Sequence, residues 1–286
     1  MLGFLNINKQ SGMSSAAVVA KLKKQFHLDK VGHMGTLDPM ASGVLPIAVG
    51  KATRLFDYFL EKEKSYVAEF EFGYTTDTLD AMGVVTCRDM PIPTPKEVEN
   101  ILSSLTGEVD QIPPMYSAKN VQGRRAYDLA RSGIIVELQP KRVTIKTIKL
   151  LQQISETKYQ FLIVCSSGTY IRSIARDMGQ LLGTGATMTA LKRTNSGYFD
   201  IEQSMTLEEL QKVELLEDVL VSPMQVFPQY KVVTISEQQQ KDLCNGKTIA
   251  ISQPNGLCWV VSQNKVVGLT KIVEQKAKIE VYLWEE

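Results

Sequence analysis

Apolar side chains recur at helical spacing near the start of the chain and at every second position further along it. Ser14 can cap a helix whose apolar stripe consists of Val18, Val19, Leu22 and Phe26. Residues 65–72 alternate instead, with Tyr66 on the apolar side. This alternation predicts a half-buried strand in which Tyr66 faces the core.

A capping signal marks the next helix. Thr94, Pro95 and Glu97 supply an N-cap, a first-turn proline and a capping-box glutamate, and apolar residues at helical spacing continue to Gly107. A second helix is therefore predicted from about residue 95.

Two strands and a further helix follow in the middle of the chain. Residues 141–154 and 158–165 have the composition of consecutive antiparallel strands, and residues 171–182 carry an apolar helical stripe that ends at Gly183. Arg172 thus lies near a strand-to-helix junction, where rigid elements can hold a functional side chain in position. These elements predict an α+β fold, with a mixed and mainly antiparallel sheet flanked by helices.

The last quarter of the chain changes in character. Residues 206–220 are acidic and predict a helix, and Pro223 and Pro228 follow as a domain boundary. Short strands separated by turns then continue to the end of the chain. We therefore expect a catalytic domain in residues 1–224 and a small β-barrel-like domain in residues 225–286.

Length and composition exclude several classes of protein. The chain has 286 residues, 44% of them hydrophobic, which is enough to bury a large core. It has no basic segment followed by a long apolar run at its start, and no stretch approaches the roughly 20 apolar residues of a membrane span. A cytoplasmic protein without a membrane partner is expected.

The cysteines suggest neither a disulfide framework nor a zinc site. The four are widely spaced without a CxxC pair, and only two histidines accompany them: Cys87, Cys165, Cys244 and Cys258, with His27 and His33. We predict reduced and mainly buried thiols and no metal ion or cofactor.

Charge is unevenly distributed although the formal net charge is only +1. Lysines without acids occupy the first 24 residues, and six basic groups lie between residues 119 and 142: Lys119, Arg124, Arg125, Arg131, Lys141 and Arg142. Two basic surfaces suited to a polyanion are therefore predicted. A charge cluster taken alone is more often a solvated face.

One carboxylate, Asp38, stands in the glycine-rich sequence GHMGTLDP of residues 32–39. Because Asp38 precedes a proline, its backbone is disfavoured in the helical region, and Gly35 and Gly43 permit tight turns or a close approach of another backbone. Two interpretations remain open at this point. The turn chemistry alone favours an Asx turn over a catalytic carboxylate.

Six sequence blocks, in this order, resemble the bacterial tRNA pseudouridine-55 synthases. They are KQSGMSS (9–15), GHMGTLDPMASGVLPIAVGKATRL (32–55), SYVAEFEFGYTTDTLDAMG (65–83), PPMYSAKNVQGRRAYDLARSG (113–133), CSSGTYIRSIARDMG (165–179) and LKRTNSGYF (191–199). The resemblance covers most of residues 1–225 and implies the pseudouridine synthase fold. The tail from about residue 225 is similar, less specifically, to the RNA-binding PUA fold.

The resemblance also implies roles for single residues. It makes Asp38 the catalytic aspartate, Arg172 its paired arginine, Tyr66 the active-site tyrosine and Leu191 an apolar wall of the uracil pocket. His33 would lie against the displaced nucleotide, and Lys9 and Arg54 near the RNA. The basic residues after position 118 would hold phosphates: Lys119, Arg124, Arg125 and Arg131. Gln10 and Met34 depart from the residues usual in the family, which affects local loop geometry.

The implied activity is isomerisation of uridine 55 in the tRNA T-loop to pseudouridine, with tRNA as the partner. Nothing in the sequence indicates an obligate protein partner, so a monomer is expected, and the oligomeric state stays open. Breaking and remaking a glycosidic bond suits a carboxylate nucleophile, and a neighbouring guanidinium would keep it ionised. We therefore predict a buried or half-buried pair of Asp38 and Arg172. The order of bond changes stays open.

Two other functions fit parts of the sequence. The chain could be a noncatalytic RNA-binding or RNA-folding protein on the same scaffold, although it retains Asp38, Tyr66 and Arg172 together. It could also be a hydrolase with an aspartate nucleophile, such as an N-glycosidase, but no second carboxylate stands at a useful spacing. Asp77 and Asp80 are assigned structural or loop-positioning roles.

Overall fold

The computed structural model describes residues 1–60, 62–116, 120–121, 124–125 and 138–284. The α-helices in these ranges are α1 Ser15–Phe26, α2 Phe56–Leu60, α3 Pro95–Ile101, α4 Ile171–Leu182, α5 Leu207–Leu210, α6 Pro223–Val226 and α7 Glu237–Cys244. Single turns of 3₁₀ helix lie at Gly50–Leu55, Leu102–Leu105, Ile201–Gln203 and Leu216–Val219. The strands are β1 Gly3–Lys9, β2 Val31–His33, β3 Ser42–Val49, β4 Lys64–Phe72, β5 Thr75–Thr76, β6 Val85–Cys87, β7 Gly107–Gln111, β8 Asn120–Val121, β9 Arg124–Arg125, β10 Lys141–Gln153, β11 Lys158–Cys165, β12 Ala186–Ser196, β13 Phe199–Asp200, β14 Lys231–Thr234, β15 Ile249–Ala250, β16 Gly256–Ser262, β17 Lys265–Val273 and β18 Lys276–Tyr282.

The helix ends follow the capping signals. The Ser14 hydroxyl accepts a hydrogen bond from the Ala17 amide at the start of α1, and Thr94 and Glu97 form the reciprocal capping box of α3. Helix α4 ends at Gly183, whose φ of 67° is the left-handed conformation that suits glycine. The helices predicted at α1, α3 and α4 are confirmed, although α3 gives way to 3₁₀ helix at Leu102–Leu105 before Gly107.

One large sheet organises the first three quarters of the chain. Its strands follow the order β1-β3-β12-β4-β11-β10-β7, with β2 beside β3 and β13 beside β12. All neighbours pair antiparallel except β3 and β12, which run parallel. The predicted mixed and mainly antiparallel sheet is confirmed.

The central strand β4 places Tyr66 on the buried face of this sheet. Side chains of β4 alternate between buried and half-buried, and Tyr66 is 6% exposed. On the neighbouring strand β12, Leu191 lies opposite Ala68 and is also buried. Helix α4 packs on the same face through Ile174 and Met178. The core therefore lies directly beneath the predicted active-site residues.

The predicted acidic helix over residues 206–220 is wrong. The chain forms only α5, with a capping box from Thr206 to Glu209, and the later 3₁₀ turn Leu216–Val219. Leu210 and Leu216 both pack on the core. Side chains six residues apart would lie about 120° apart around one continuous α-helix, and the break between α5 and the 3₁₀ turn lets both leucines face the core.

A second, five-stranded sheet in the order β14-β16-β17-β18-β15 ends the chain, as the run of short strands predicts. Its Trp259 is fully buried and donates from Nε1 to the Phe227 carbonyl at 3.2 Å. Trp259 belongs to one apolar cluster with Phe4, Phe59 and Phe227. The two sheets thus share a hydrophobic core across the predicted domain boundary, and the boundary itself stays a prediction.

The four cysteines are free thiols, of which Cys165 and Cys258 are buried and Cys87 and Cys244 are exposed. Only half of them therefore match the expected burial. Among the helices in the described ranges, none combines the length and the apolar character needed to cross a bilayer.

Candidate active site

Asp38 lies in the loop between β2 and β3, and the N-terminal part of the molecule holds this loop. The Ser15 hydroxyl donates to the Leu37 carbonyl and accepts from the Leu37 amide, both at 2.9 Å. The Gly12 amide donates to the Pro39 carbonyl at 2.8 Å. Bonds on both sides of Asp38 therefore fix the direction of its side chain.

Arg172, in the first turn of α4, pairs with the Asp38 carboxylate. Its Nε lies 3.0 Å from Oδ2, and its Nη2 lies 3.3 Å from Oδ1. This two-pronged contact confirms the predicted pair. In the part of the chain that the structure describes, no backbone amide of the loop donates to this carboxylate, so the Asx turn does not form.

A second carboxylate and two carbonyls complete the surroundings of Arg172. Its Nη1 lies 3.2 Å from Oδ2 of Asp80 and donates to the Thr78 carbonyl at 3.1 Å, and Nη2 donates to the Tyr116 carbonyl at 3.0 Å. Leu79, between Thr78 and Asp80, has a φ of 63°, which is strained for a leucine. Asp80 therefore has the loop-positioning role expected of it, with Arg172 as its partner.

The charged pair is partly closed to solvent. The side chain of Arg172 is 7% exposed and that of Asp38 is 33% exposed. Burial raises the pKa of the Asp38 carboxyl and is opposed by Arg172, while Asp80 adds to the rise. Burial outweighs the guanidinium, so Asp38 is a stronger base and nucleophile than an aspartate in water.

Tyr66 and Leu191, the residues predicted to line the uracil pocket, are both buried. Both belong to the same core cluster as Leu37, the residue before Asp38. Burial raises the pKa of Tyr66 to about 12, so its phenol is protonated at neutral pH. The Asp38 side chain is therefore partly exposed to solvent, and the loop that carries it packs on a buried apolar core, which can exclude water from a bound base.

A cavity of about 400 Å³ lies beside residues 78–80, the segment whose Thr78 carbonyl and Asp80 carboxylate contact Arg172. Its lining includes Asp77, Leu79, Ile112 and Arg176. The Asp77 carboxylate accepts from the Val84 amide at 2.8 Å, which is the structural role predicted for it. Among the described residues, no group of three or more His, Cys, Asp or Glu side chains is placed to hold a metal ion.

Lys9 occupies a different place from the one expected of an RNA contact. It is 1% exposed, and its Nζ donates to the carbonyls of Met13, Gln10 and Pro39 at 2.7, 3.0 and 3.3 Å. Burial lowers its pKa to about 8, and Asp38 opposes that change. Because the ammonium faces inward, Lys9 supports the Asp38 loop rather than a phosphate.

Of the remaining predicted RNA contacts, the structure describes the side chains of His33 and Arg54. His33 ends β2 opposite Ile47, five residues before Asp38, and is half-buried. Arg54 is exposed and donates to the Tyr282 carbonyl of β18 at 2.9 Å. Arg124 and Arg125 form the short strand β9, whose side chains lie outside the described structure. Lys119 and Arg131 lie outside the described residues altogether.

The sequence analysis missed two buried cations beside the site, Lys64 and Arg193. Lys64 donates from Nζ to the Ser167 hydroxyl at 2.7 Å, and burial lowers its pKa to about 8. Burial of Lys64 could have been predicted from the alternation of β4, because Lys64 stands two residues before Tyr66 and therefore points to the same face. Arg193 had no such signal, because irregularities after Met188 and after Arg193 disturb the alternation of β12.

Glycine at position 43 is required by close backbone packing. Its φ is 99°, and a Cβ there would overlap the carbonyl oxygen of Arg193 on β12. We expect Gly43→Ala to lower the free energy of unfolding by about 1 to 3 kcal/mol and to slow catalysis, because the strand pair beneath the Asp38 loop must separate. Urea unfolding and a single-turnover rate measurement test both effects.

Gly107→Ala is the matched control for that substitution. Gly107 has a similar φ of 93°, but a Cβ there meets no atom within 4 Å. It should lose about 1 kcal/mol from backbone strain alone and retain its rate. Equal losses of stability and rate in the two variants would contradict the packing argument.

Two family models match the chain in sequence. Residues 23–171 match the TruB family pseudouridylate synthase (N terminal domain), and residues 172–225 match the tRNA pseudouridylate synthase B C-terminal domain. The tRNA pseudouridine synthase B of Clostridium perfringens strain 13 is 40% identical over 295 residues, with 100% of both chains covered. That of Clostridioides difficile strain 630 is 43% identical over 292 residues, covering 97% of this chain and 96% of the other.

Solved structures agree with these matches. A chain of an H/ACA RNP bound to a substrate RNA containing 2'-deoxyuridine superposes with a TM-score of 0.72 at 25% identity, covering 99% of this chain and 85% of that one. A chain of a Cbf5-Nop10-Gar1 complex gives a TM-score of 0.71 at 25% identity, covering 99% and 84%. On this sequence match, fold and site geometry, the chain belongs to the TruB family of pseudouridylate synthases.

Proposed function

We propose that this protein is a tRNA pseudouridine synthase that isomerises uridine 55 of the T-loop. The observation that carries the proposal is the Asp38 carboxylate held by a buried Arg172 next to an apolar wall. The curated relatives named tRNA pseudouridine synthase B support tRNA as the substrate. A noncatalytic RNA-binding protein would gain nothing from a carboxylate of raised pKa at a partly open site.

Asp38 acts on the sugar or on the base of the target uridine. The reaction breaks the bond from N1 to C1′, turns the uracil and joins C5 to C1′, without redox change or loss of a group. A carboxylate can form a bond to the substrate and leave again, which splits this change into easier steps. Arg172 keeps Asp38 ionised and fixes its oxygens, and Asp80 in turn fixes Arg172.

Tyr66 and Leu191 hold the detached base. The tyrosine ring can stack on uracil, and the leucine closes the pocket on one side. Exclusion of water protects the glycosyl intermediate from hydrolysis, which would leave an abasic nucleotide. Because a uridine in an RNA loop is stacked, it must be turned outward at a cost of a few kcal/mol, and His33 would occupy the space that it leaves.

Phosphate contacts would supply the compensating binding energy. We assign them to Arg54 and to the basic residues of the second basic segment, Lys119, Arg124, Arg125 and Arg131. Lys9 is assigned to the Asp38 loop instead. The C-terminal domain, residues 225–286, would act as a PUA-like RNA-binding module, and the protein would work as a cytoplasmic monomer.

The test is a tRNA transcript that carries tritium at C5 of uridine. Isomerisation replaces the hydrogen on C5, so tritium is released while the nucleotide is retained as pseudouridine of unchanged mass. Free uracil would indicate the hydrolase, and binding with neither product would indicate an RNA-binding protein. A transcript with cytidine at position 55 is the control, because release from it would place the reaction at another uridine.

Binding of tRNA should weaken steeply with salt. Each phosphate contact to single-stranded RNA contributes about −0.7 to the slope of log K against log salt concentration. We expect Arg54→Gln to weaken binding about equally at all sequences and to reduce the steepness of that slope by about 0.7. Filter binding between low and moderate salt measures the slope.

Lys96→Gln is the matched control, because Lys96 is also exposed but lies on α3, outside the proposed contacts. It should leave the slope unchanged. An unchanged slope for Arg54→Gln would remove Arg54 from the RNA interface and leave it only its bond to β18.

A further inference from the structure

A second cavity lies beside the basic segment at the start of the chain, between α1, the end of β1 and α5. We call it the α1 pocket. Its volume is about 580 Å³, within the range of about 300 to 1,000 Å³ that is typical of ligand pockets. Lys21 and Lys24 line it from α1, and Glu208 lines it from α5. The function proposed above gives none of these three charged side chains a role.

The three charged side chains of the α1 pocket have no ion-pair partners. Within the described ranges of the chain, neither the Lys21 nor the Lys24 ammonium lies within 4 Å of a carboxylate, and no ammonium or guanidinium lies that close to Glu208. Opposite charges that line one pocket without touching leave room for a ligand that contacts both. The lysines can bind an anion such as a phosphate, and the carboxylate can accept hydrogen bonds.

The uncharged lining of the α1 pocket suits a nucleobase. Gln25 and Gln211 supply amide groups, which can both donate and accept hydrogen bonds. Met13 and Leu207 supply apolar surface, and a thioether packs well against a flat ring. Unpaired bases of RNA are recognised by packing on their faces and by hydrogen bonds to their edges. The pocket therefore combines groups for a phosphate with groups for a base.

The loop after β1 connects the α1 pocket to the loop that carries Asp38. Gln10 and Met13 of this loop line the pocket. Between them, the Gly12 amide donates to the Pro39 carbonyl at 2.8 Å. The pocket therefore lies next to the loop at which RNA would present its target uridine.

We propose that the α1 pocket binds one ribonucleotide of the substrate RNA other than the target uridine. The phosphate of this nucleotide lies between Lys21 and Lys24, and an N–H group of its base donates to Glu208. No bond is made or broken in the pocket, so the contact adds affinity and places the RNA over Asp38. The inference rests on the proposed function, because that function makes RNA the ligand of the neighbouring loop.

Three exposed lysines of α1 provide a matched test. Lys21 and Lys24 lie about 60° apart around the helix, whereas Lys23 lies about 100° or more from both and does not line the pocket. In filter binding of tRNA, Lys21→Gln and Lys24→Gln should each reduce the steepness of log K against log salt concentration by about 0.7. Lys23→Gln should leave the slope unchanged. Equal losses in the three variants would indicate a general attraction of α1 to RNA and would overturn the proposal, as would no loss in any of them.

Substitution of Glu208 separates a nucleotide site from a plain anion site. In a plain anion site this carboxylate only repels phosphate, so Glu208→Gln should tighten tRNA binding. The proposal predicts about fivefold weaker binding instead, because a charge-assisted hydrogen bond becomes a neutral one. Glu214→Gln is the control, since Glu214 is exposed and lies outside the pocket, and it should change the affinity little. Unchanged or tighter binding for Glu208→Gln would overturn the proposal.

Photo-crosslinking tests the identity of the occupant. With p-benzoylphenylalanine in place of Gln211, which lines the pocket, tRNA should crosslink at one or two adjacent nucleotides other than uridine 55. The same group in place of Gln203, which is exposed outside the pocket, should give no such crosslink. Crosslinks scattered over the tRNA would overturn the proposal.

A free nucleotide would carry the same chemistry as a nucleotide of RNA. Uridine 5′-monophosphate titrated without RNA distinguishes the two. Binding of this probe that depends on Lys21, together with an unchanged tRNA salt slope for Lys21→Gln, would assign the pocket to a free nucleotide and overturn the proposal.

The wild-type reaction separates failure of this inference from failure of the proposed function. Tritium release by the wild type, with equal salt slopes for the three lysine variants, would leave the function standing and overturn the pocket. Salt slopes that differ as predicted, without tritium release, would support an RNA site on a protein that is not an isomerase.

Discussion

Asp38→Asn is expected to lower the single-turnover rate by about 10⁴-fold or more, as loss of a catalytic nucleophile does in other enzymes. The amide can neither form the bond to the substrate nor act as a base. Affinity for tRNA should change little, because binding rests on phosphate contacts elsewhere. Tritium release and filter binding on the same preparation measure the two quantities, and a variant that retained the wild-type rate would refute the nucleophile assignment.

The same variant should not lose stability. The pKa of Asp38 is raised by folding, so the folded protein binds its proton more tightly than the unfolded chain does. Stability contributed by this group therefore falls as pH rises through the interval between the unfolded and folded pKa values, and the ionised carboxylate is unfavourable at neutral pH. We expect the melting temperature of Asp38→Asn at pH 7 to equal or exceed that of the wild type.

Activity should also decline on the acid side with an apparent pKa above the ordinary aspartate value of 3.8. The reason is that only the ionised form of Asp38 can act. The pH dependence of the single-turnover rate measures this limb directly. An acid limb with an apparent pKa at or below 3.8 would mean that Arg172 lowers the pKa of Asp38 by more than burial raises it.

Arg172→Met should damage both stability and turnover. It leaves the Asp80 carboxylate, which is 8% exposed, without its cationic partner. Breaking a buried ion pair from one side costs about 3 to 5 kcal/mol, and loss of the charge that orients the nucleophile should reduce the rate by roughly 10²-fold to 10³-fold. The acid limb of the pH profile should move to higher pH, because burial and Asp80 still raise the pKa of Asp38 and only Lys9 is left to lower it.

A second substitution separates the effect of Arg172→Met on stability from its effect on turnover. Arg172→Met combined with Asp80→Asn removes the stranded charge, so stability should recover in part while the rate stays low. Arg176→Lys, one helical turn further along α4, is the control for replacing an arginine of this helix. It should change both the stability and the rate only slightly. Recovery of activity together with stability would indicate that Arg172 acts through folding alone.

Local signals predicted several elements correctly, although they did not predict β1, β3, β7 and β12 of the large sheet. Capping residues and apolar spacing mark α1, α3 and α4, and alternation marks β4, because these features depend on neighbours within a few residues. The helix predicted over residues 206–220 is wrong because its course depends on contacts with residues far away in the chain. Its acidic composition suits a helix, but burial of both Leu210 and Leu216 against the core prevents one from continuing.

The residues of the candidate site could also be predicted only in part from the sequence. Asp38 stood out in its glycine-rich motif, and the family resemblance directed attention to Tyr66 and Arg172. The role of Lys9 depends instead on which carbonyls surround it after folding. Four buried cations come from distant segments of the chain: Lys9, Lys64, Arg172 and Arg193.

The sequence by itself determined the class of fold, the ends of the well-capped helices and the candidate catalytic carboxylate, because each is encoded in contiguous residues. Tertiary structure alone decided the two-pronged geometry of the contact between Asp38 and Arg172, 134 positions later. It also decided that burial outweighs this partner in setting the Asp38 pKa, and that Lys9 faces inward. Burial and charge pairing depend on contacts between segments far apart in the chain, and irregularities such as those in β12 move side chains without any local mark.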